Sequence, residues 1–520
     1  MLVITLVLVL LFFLIYKRQQ RMSILKRSGI PGPKPNLIFG HLFDIGFGGL
    51  KSVFPKWTEK YGSVVGFYFG GRPQVLVTDF DLIRHILVKD FYKFSNRNQI
   101  IPGGIHPTPQ FQHMLIWSRD TVWRNLRASL SPSFSAHKLH AMEPLMMLTI
   151  DKSISELDDI AESGQEFNIG SVMKELTFST AAKCIFGLNF SLKDLTRDTK
   201  SFIEITLPRL EKSILAMVMV LFPSLTCIAY PLRVLWERIR FLMAWSPEGA
   251  CFEVTKQLVL LRQRSDIKII DFLQLLLKAK RVQTTVDSEL EMSSDDVKPN
   301  DNLLNKELNS ENISNDEIVA NALLFLLASY ETTSVTLQFC LHNLINHQSV
   351  QDKLRTELLK IVDPGSKKIS ALALSSIPLL NHIVKETLRM FPPASPLTAR
   401  VAKENYEYQG IVIPKGAGVF IGVSAIHNDP KLWPEPEEFR PERFESDFDK
   451  LALLAFGAGP RNCLGIRFAY MEIELALANL ILNYRFEPGP STEKKIKTME
   501  TFATLIPQNG VFCKVTKLQH

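Results

Sequence analysis

Residues Phe456-Gly457-Ala458-Gly459-Pro460-Arg461-Asn462-Cys463-Leu464-Gly465 set one cysteine between glycines, directly before the apolar helical stretch Ile466 to Leu482. Glycine has no Cβ, so its backbone can approach a flat partner closely. A thiolate near a helix N-terminus gains from the positive end of the dipole and from free amide donors. Together these conditions keep a sulfur deprotonated as a metal ligand. No histidine or second cysteine stands nearby, which does not suit zinc but does suit haem iron, where one axial protein ligand is enough. On these residues alone, a structural cysteine buried in a Gly-rich turn is the other reading.

Four further stretches carry unusual residue combinations. Lys385-Glu386-Thr387-Leu388-Arg389 places a carboxylate and a guanidinium on one helix face, within the apolar stripe Leu379 to Met390. Phe439-Arg440-Pro441-Glu442-Arg443-Phe444 follows downstream. Taken alone, such a charge pair is usually a solvated surface contact. Ala328-Ser329-Tyr330-Glu331-Thr332-Thr333 puts an acid and hydroxyls inside the apolar helix Ile318 to Leu344. There Ser and Thr can also bond a carbonyl one turn back and bend the helix. In Trp123-Arg124-Asn125-Leu126-Arg127 an indole and a guanidinium share a face.

With these motifs in this order the chain resembles the cytochrome P450 family, whose signature Phe-x-x-Gly-x-Arg-x-Cys-x-Gly is matched without a gap from Phe456 to Gly465. The resemblance runs from the proline connector to Pro507. It is nearest the microsomal clan of vertebrate drug-metabolising enzymes, insect detoxification enzymes and thromboxane synthase. It implies a mainly α fold with small β-sheets, the α+β cytochrome P450 fold, around haem b. Cys463 becomes the proximal iron ligand, Phe456, Arg461 and Gly465 part of the haem-binding loop, and Arg461 a propionate contact. Trp123, Arg127 and Arg400 become further propionate partners. Glu386, Arg389 and Arg443 become a structural triad.

The same resemblance makes Glu331 and Thr332 the catalytic pair that organises water for proton delivery during oxygen activation. Ser329 stands where the family usually has Gly. Phe111, Phe222, Phe325, Ala328, Leu397 and Phe502 become the substrate pocket, an apolar set suited to a lipophilic small molecule. The implied activity is a monooxygenase using O2 and NADPH-derived electrons. No Gly-rich dinucleotide fingerprint follows a strand in this chain, so the electrons come from a separate NADPH-cytochrome P450 reductase, with cytochrome b5 as a second candidate donor. Two rivals stay open: an isomerase or dehydratase that rearranges a peroxide without reductase, and a haem protein that binds a ligand without turnover.

Composition bounds the rest. With 46% hydrophobic and 22% charged residues over 520 positions, the chain can bury a large core. Its net charge of +7 is scattered, which argues against nucleic acid. Six cysteines lie far apart without CxxC spacing, suggesting neither a disulfide scaffold nor zinc. Met1 to Tyr16 is apolar apart from Thr5, and as a helix it would reach roughly 24 Å, slightly short of a thin bilayer. Lys17, Arg18 and Arg21 follow it, so the positive-inside rule predicts a single-pass endoplasmic reticulum anchor over residues 1–21 with the body in the cytosol. A buried core helix is the alternative. Residues 22–36, with Ile30-Pro31-Gly32-Pro33-Lys34-Pro35, read as a stiff connector, and 37–520 as the catalytic domain. Lys51 to Asp79 reads as short strands, Leu82 to Leu388 as mainly helical, and Thr284 to Asn315 as a solvated loop. Ile214 to Phe222 reads either as a lid that dips into the bilayer or as plain core.

Overall fold

The computed structural model describes residues 1–46, 49–99, 109–192, 214–243, 247–264, 271–283, 313–362, 368–394, 398–500 and 504–518. Leu397, Phe502 and the polar segment 284–312 fall outside them. In chain order the longer helices are α1 (Leu2–Met22), α2 (Gly49–Tyr61), α3 (Asp120–Leu130), α4 (Glu143–Ser163), α5 (Gly170–Phe186), α6 (Ile214–Leu221), α7 (Thr226–Leu242), α8 (Pro247–Arg264), α9 (Phe272–Gln283), α10 (Asn315–Asn346), α11 (Gln348–Leu358), α12 (Pro378–Met390) and α13 (Ile466–Asn483).

Helix α10 is the spine. It begins at a reciprocal cap, in which Ser314 Oγ accepts from the Glu317 amide (3.2 Å) and Glu317 Oε2 accepts from the Ser314 amide (2.9 Å). Asn315 therefore opens this helix rather than closing the polar loop. Its length and apolarity would let it cross a bilayer, yet most of it is buried inside the protein, so its apolar text is core. Helix α5 lies along it. A Cβ at Gly170 would come 2.7 Å from Gln338 Oε1, and Thr177 Oγ1 donates to Tyr330 O at 3.0 Å.

Strands β1 (Val64–Phe69), β2 (Arg72–Val77), β3 (Ala399–Val401) and β4 (Gly418–Ile421) form one sheet in the order β1-β2-β4-β3. β2 runs parallel to β4 with Val75 opposite Val419, and β3 runs antiparallel to β4 with Arg400 opposite Val419. A smaller three-stranded sheet sets Phe512–Lys517 between Phe167–Asn168 and Tyr484–Glu487. Lys51 to Tyr61, expected as strand, is instead the body of α2. Val53 and Trp57 sit one turn apart there and bury against the sheet, with Trp57 5.4 Å from the Phe67 ring. Pro55 inside the helix is the residue that made the stretch look non-helical.

At the other end, α1 runs past Tyr16 to Met22 with apolar side chains such as Leu2 (78%) and Phe12 (72%) exposed. The proline connector then locks onto β1. The Gly66 amide donates to Pro31 O (2.7 Å), and a Cβ at Gly32 would lie 1.9 Å from Gly66 O.

Candidate active site

The loop before α13 is shaped by its glycines. Gly457 and Gly459 both have φ of 69°, a left-handed value, and a Cβ at Gly459 would meet Leu87 O at 1.8 Å. The turn so formed lets the Cys463 amide donate to Phe456 O (2.9 Å) and the Gly457 amide to Leu454 O (2.8 Å). Cys463 is surrounded by protein, yet its residue is exposed because the loop faces a cavity that Phe325, Ala328 and Thr332 also line. Burial pushes its thiol up, while the Gly465 amide and the Arg127 and Arg97 guanidiniums pull it back. All six cysteines are free.

Arg97, Arg127 and Arg461 line the same cavity, and Arg400 lies buried behind them within reach of the charges of Arg97 and Arg461. Arg461 donates to Ser118 O (2.7 Å) and lies 4.3 Å from the Trp123 ring centre, a cation–π stack. Arg400, 1% exposed, donates to Ala399 O (3.1 Å). The Nε atoms of Arg400 and Arg461 are buried without a hydrogen-bond partner. Burial, then Arg97 and Arg461, hold Arg400 far below the usual arginine range. Burial, then Arg97 and Arg119, pull Arg461 to about 9, against a weak opposing pull from Asp120. Arg127 is committed differently, gripping Asn462 through its carbonyl (2.9 Å) and its side-chain oxygen (2.8 Å). Arg97 was invisible to sequence reading, because Ser95-Asn96-Arg97-Asn98 has no periodic partner or motif.

This arrangement fits haem. Among the described residues no group of three or more His, Cys, Asp or Glu side chains could hold a metal ion, so a lone cavity-facing sulfur calls for a metal that brings its own other ligands. The orphaned guanidinium atoms call for an anion, and haem carries two propionates.

The far side of the site is the middle of α10. Phe325, Ala328, Ser329 and Thr332 line the cavity. Ser329 Oγ donates to Phe325 O (2.8 Å) and Thr332 Oγ1 to Ala328 O (2.7 Å). Glu331 does not join them. It lines a second cavity with Lys174, Ser334 and Gln338. Burial raises its carboxyl above the ordinary range, opposed by a hydrogen bond with Thr504 and by the Lys174 charge.

The sequence profile of the family described as Cytochrome P450 matches residues 30–515. This chain belongs to the cytochrome P450 family. It is 32% identical over 508 residues to cytochrome P450 3A28 of Bos taurus, covering 95% of this chain and 91% of that one. Against cytochrome P450 3A5 of Homo sapiens it is 32% identical over 503 residues, covering 95% and 92%. Against cytochrome P450 3A41 of Mus musculus it is 31% identical over 522 residues, covering 98% and 95%. The protein is therefore a haem-thiolate monooxygenase that uses O2, a small-molecule substrate and electrons from a reductase.

Behind the P450 cysteine loop, Arg389 donates to both oxygens of Glu386 (2.8 and 2.9 Å), and Arg443 Nε donates to Glu386 Oε1 (2.9 Å). Arg389 also donates to His427 O (2.8 Å), and His427 Nε2 accepts from the Leu454 amide (2.8 Å). The triad thus reaches the cysteine turn through His427, a residue sequence reading missed. Of the other expected pocket residues, Phe111 is buried against Phe252 (5.0 Å between rings) and Phe222 is 38% exposed near Arg18. Neither lines the haem cavity, whereas Leu115, Ile116 and Leu324 do.

Proposed function

We propose that this P450 oxidises lipophilic molecules of the xenobiotic, steroid or fatty-acid type in the cavity shared by Cys463 and α10. The observation that carries the reading is that one apolar-walled cavity is bordered both by the cysteine loop and by Thr332. A mostly apolar lining with a few convergent polar groups suits ligands held mainly by burial.

When bound, haem supplies reductive activation of O2 and transfer of one oxygen atom to the substrate. Cys463 would hold its iron, and Arg461, Arg400 and Arg97, backed by Trp123, would bind its propionates. Arg127 braces the loop through Asn462. The Thr332 hydroxyl spends its own hydrogen on Ala328 O, so it faces the cavity as an acceptor that can orient water. Glu331, its carboxyl raised by burial, stands on the second cavity's side of α10 and serves as the reserve from which that water is recharged. Ser329, its hydroxyl turned back on Phe325 O, fills space that glycine would leave open.

Helix α1 is assigned as a single-pass endoplasmic reticulum anchor, supported by its exposed apolar side chains and the basic residues that follow them. This makes residues 1–21 the anchor, 22–36 the connector and 37–520 the cytosolic catalytic domain. Exposed Arg124 on α3 and Arg467 on α13 flank the cysteine loop and suit an acidic reductase face, with cytochrome b5 as a second donor at the same place. The test is turnover of lipophilic compounds with reductase and NADPH, with products read by mass spectrometry. NADPH consumption at background for the whole panel, or product formed without reductase, would sink it.

A further inference from the structure

Helix α7 wears its apolar side outward. Ile228, Leu232, Leu235 and Ile239 recur on one face, joined by Trp236, and each is 39% exposed or more. Its inner side carries Arg233, 3% exposed, and Glu237 paired with Arg240 at 3.2 Å. A surface helix bathed in water shows the opposite arrangement, and a contiguous exposed apolar patch marks an interaction surface.

Beside this face three arginines meet. Arg18 and Arg21 share one face of α1. Arg18 donates to Leu37 O (2.7 Å) and Ile38 O (2.8 Å), and its guanidinium lies 5.6 Å from the Phe222 ring. It fills the space a side chain at Gly71 would need, 2.1 Å from the position of that Cβ. Arg72, at the start of β2, reaches Thr226, the first residue of α7 (3.4 Å), and its Nε is buried without a hydrogen-bond partner. Burial and the charge of Arg21 pull Arg72 down to about 10. Among the described residues no carboxylate forms an ion pair with Arg18, Arg21 or Arg72. Three half-buried cations without a counter-charge repel one another, and an anion between them reverses the sign of the interaction.

We propose that Arg18, Arg21 and Arg72 bind the phosphate of an anionic phospholipid where α1 leaves the body, with the outer face of α7 seated in the neighbouring acyl region. The apolar face selects a lipid over a free phosphate, because a soluble ion would leave that face in water. The proposal rests on α1 being a membrane anchor.

The full-length holoenzyme is reconstituted in phosphatidylcholine vesicles carrying a trace of spin-labelled phosphatidylserine or phosphatidylcholine. The lipid immobilised on the protein is read by electron spin resonance. We expect the serine lipid to be preferred by about fivefold or more. The preference should fall to near equality in the Arg18→Gln/Arg21→Gln/Arg72→Gln protein and stay in the charge-matched Lys494→Gln/Lys495→Gln/Lys514→Gln protein. Arg72→Gln alone should lower it part-way, which keeps the test open if the triple variant loses its haem spectrum. A preference that survives both arginine changes, or that both triple variants lose equally, overturns the site. A preference abolished when inorganic phosphate replaces chloride at equal ionic strength overturns the lipid assignment. Failure of the unaltered chain to float with phosphatidylcholine vesicles overturns the anchor instead.

Discussion

The two walls of the haem cavity are built on opposite principles. Below the cysteine loop the charged groups of the triad are consumed by one another and by backbone. Glu386 takes Arg389, Arg443 and the Arg440 amide (3.0 Å), Arg389 passes to His427, and His427 passes to Leu454, whose carbonyl accepts from Gly457. On the α10 side the hydroxyls of Ser329 and Thr332 are tied only to their own helix, and the acid between them looks into another cavity. A wall that must hold one ligand in one geometry gains from being fully determined before the ligand arrives. A wall that must exchange protons and admit varied guests needs polar groups whose partners can change.

The sharpest break in that contrast is Cys463→Ser. The reduced, carbon monoxide-treated protein should lose the far-shifted Soret band of a thiolate complex, and oxidation should stop. Retention of that band would remove the sulfur from its role. Arg389→Ala comes next. It leaves the Glu386 carboxylate, 0% exposed, with Arg443 as its remaining cation and removes three backbone-carbonyl contacts. Removing one partner of a buried pair costs about 3–5 kcal/mol. Haem content of the purified protein and its urea midpoint should both fall, and a change confined to kcat would contradict a purely structural triad.

These two walls were also unequally legible in the sequence. The glycines at 457 and 459 write the backbone geometry of the loop directly, because φ of 69° and a 1.8 Å approach to Leu87 O admit nothing larger. The apolar run of α10 was equally plain. Periodicity could have separated Glu331 from Thr332, since Ala328, Ser329 and Thr332 share one helical face while Glu331 falls with Ser334 and Gln338. The family pattern treats acid and threonine as a unit and hides that split. Arg97 and His427 act through tertiary neighbours distant in sequence, which no local pattern encodes. For α7, spacing tells which residues share a face but not which face is inside. The unbroken run from Ile214 to Phe222 is the more conspicuous apolar signal in the sequence, yet Ala216, Met219 and Val220 of α6 are buried.

Substitutions on the α10 side should change chemistry and leave the fold intact. Thr332→Ala keeps the helix and removes the oxygen that orients water. NADPH consumption should continue while product per NADPH drops, by about tenfold or more if the hydroxyl supports proton transfer. Glu331→Gln should lower the rate with less loss of coupling, because its carboxyl stands outside the cavity. Equal uncoupling in both proteins would place the carboxyl beside the hydroxyl at the reacting oxygen instead of behind it as a reserve.

The smallest effect tests how rigid the lower wall is, through pH. His427 is fully buried. Its Nδ1 donates to Arg389 O (2.9 Å), and its Nε2 accepts from the Leu454 amide (2.8 Å), which requires the neutral ring. Burial chiefly pulls it down to about 3, the Arg389 carbonyl opposes, and the Arg389 charge adds to the pull. In the unfolded chain the ring titrates near about 6.5. As pH falls the unfolded chain takes up this proton first. The contribution is therefore fully present above about pH 6.5 and is lost as pH drops toward the folded value, at about 1.4 kcal/mol per unit. The urea midpoint measured between about pH 7 and about pH 5 should slope more steeply in the natural protein than in His427→Gln, whose amide can keep both hydrogen bonds without titrating. Parallel slopes would mean that water reaches the ring and that the lower wall opens more readily than its bonding implies.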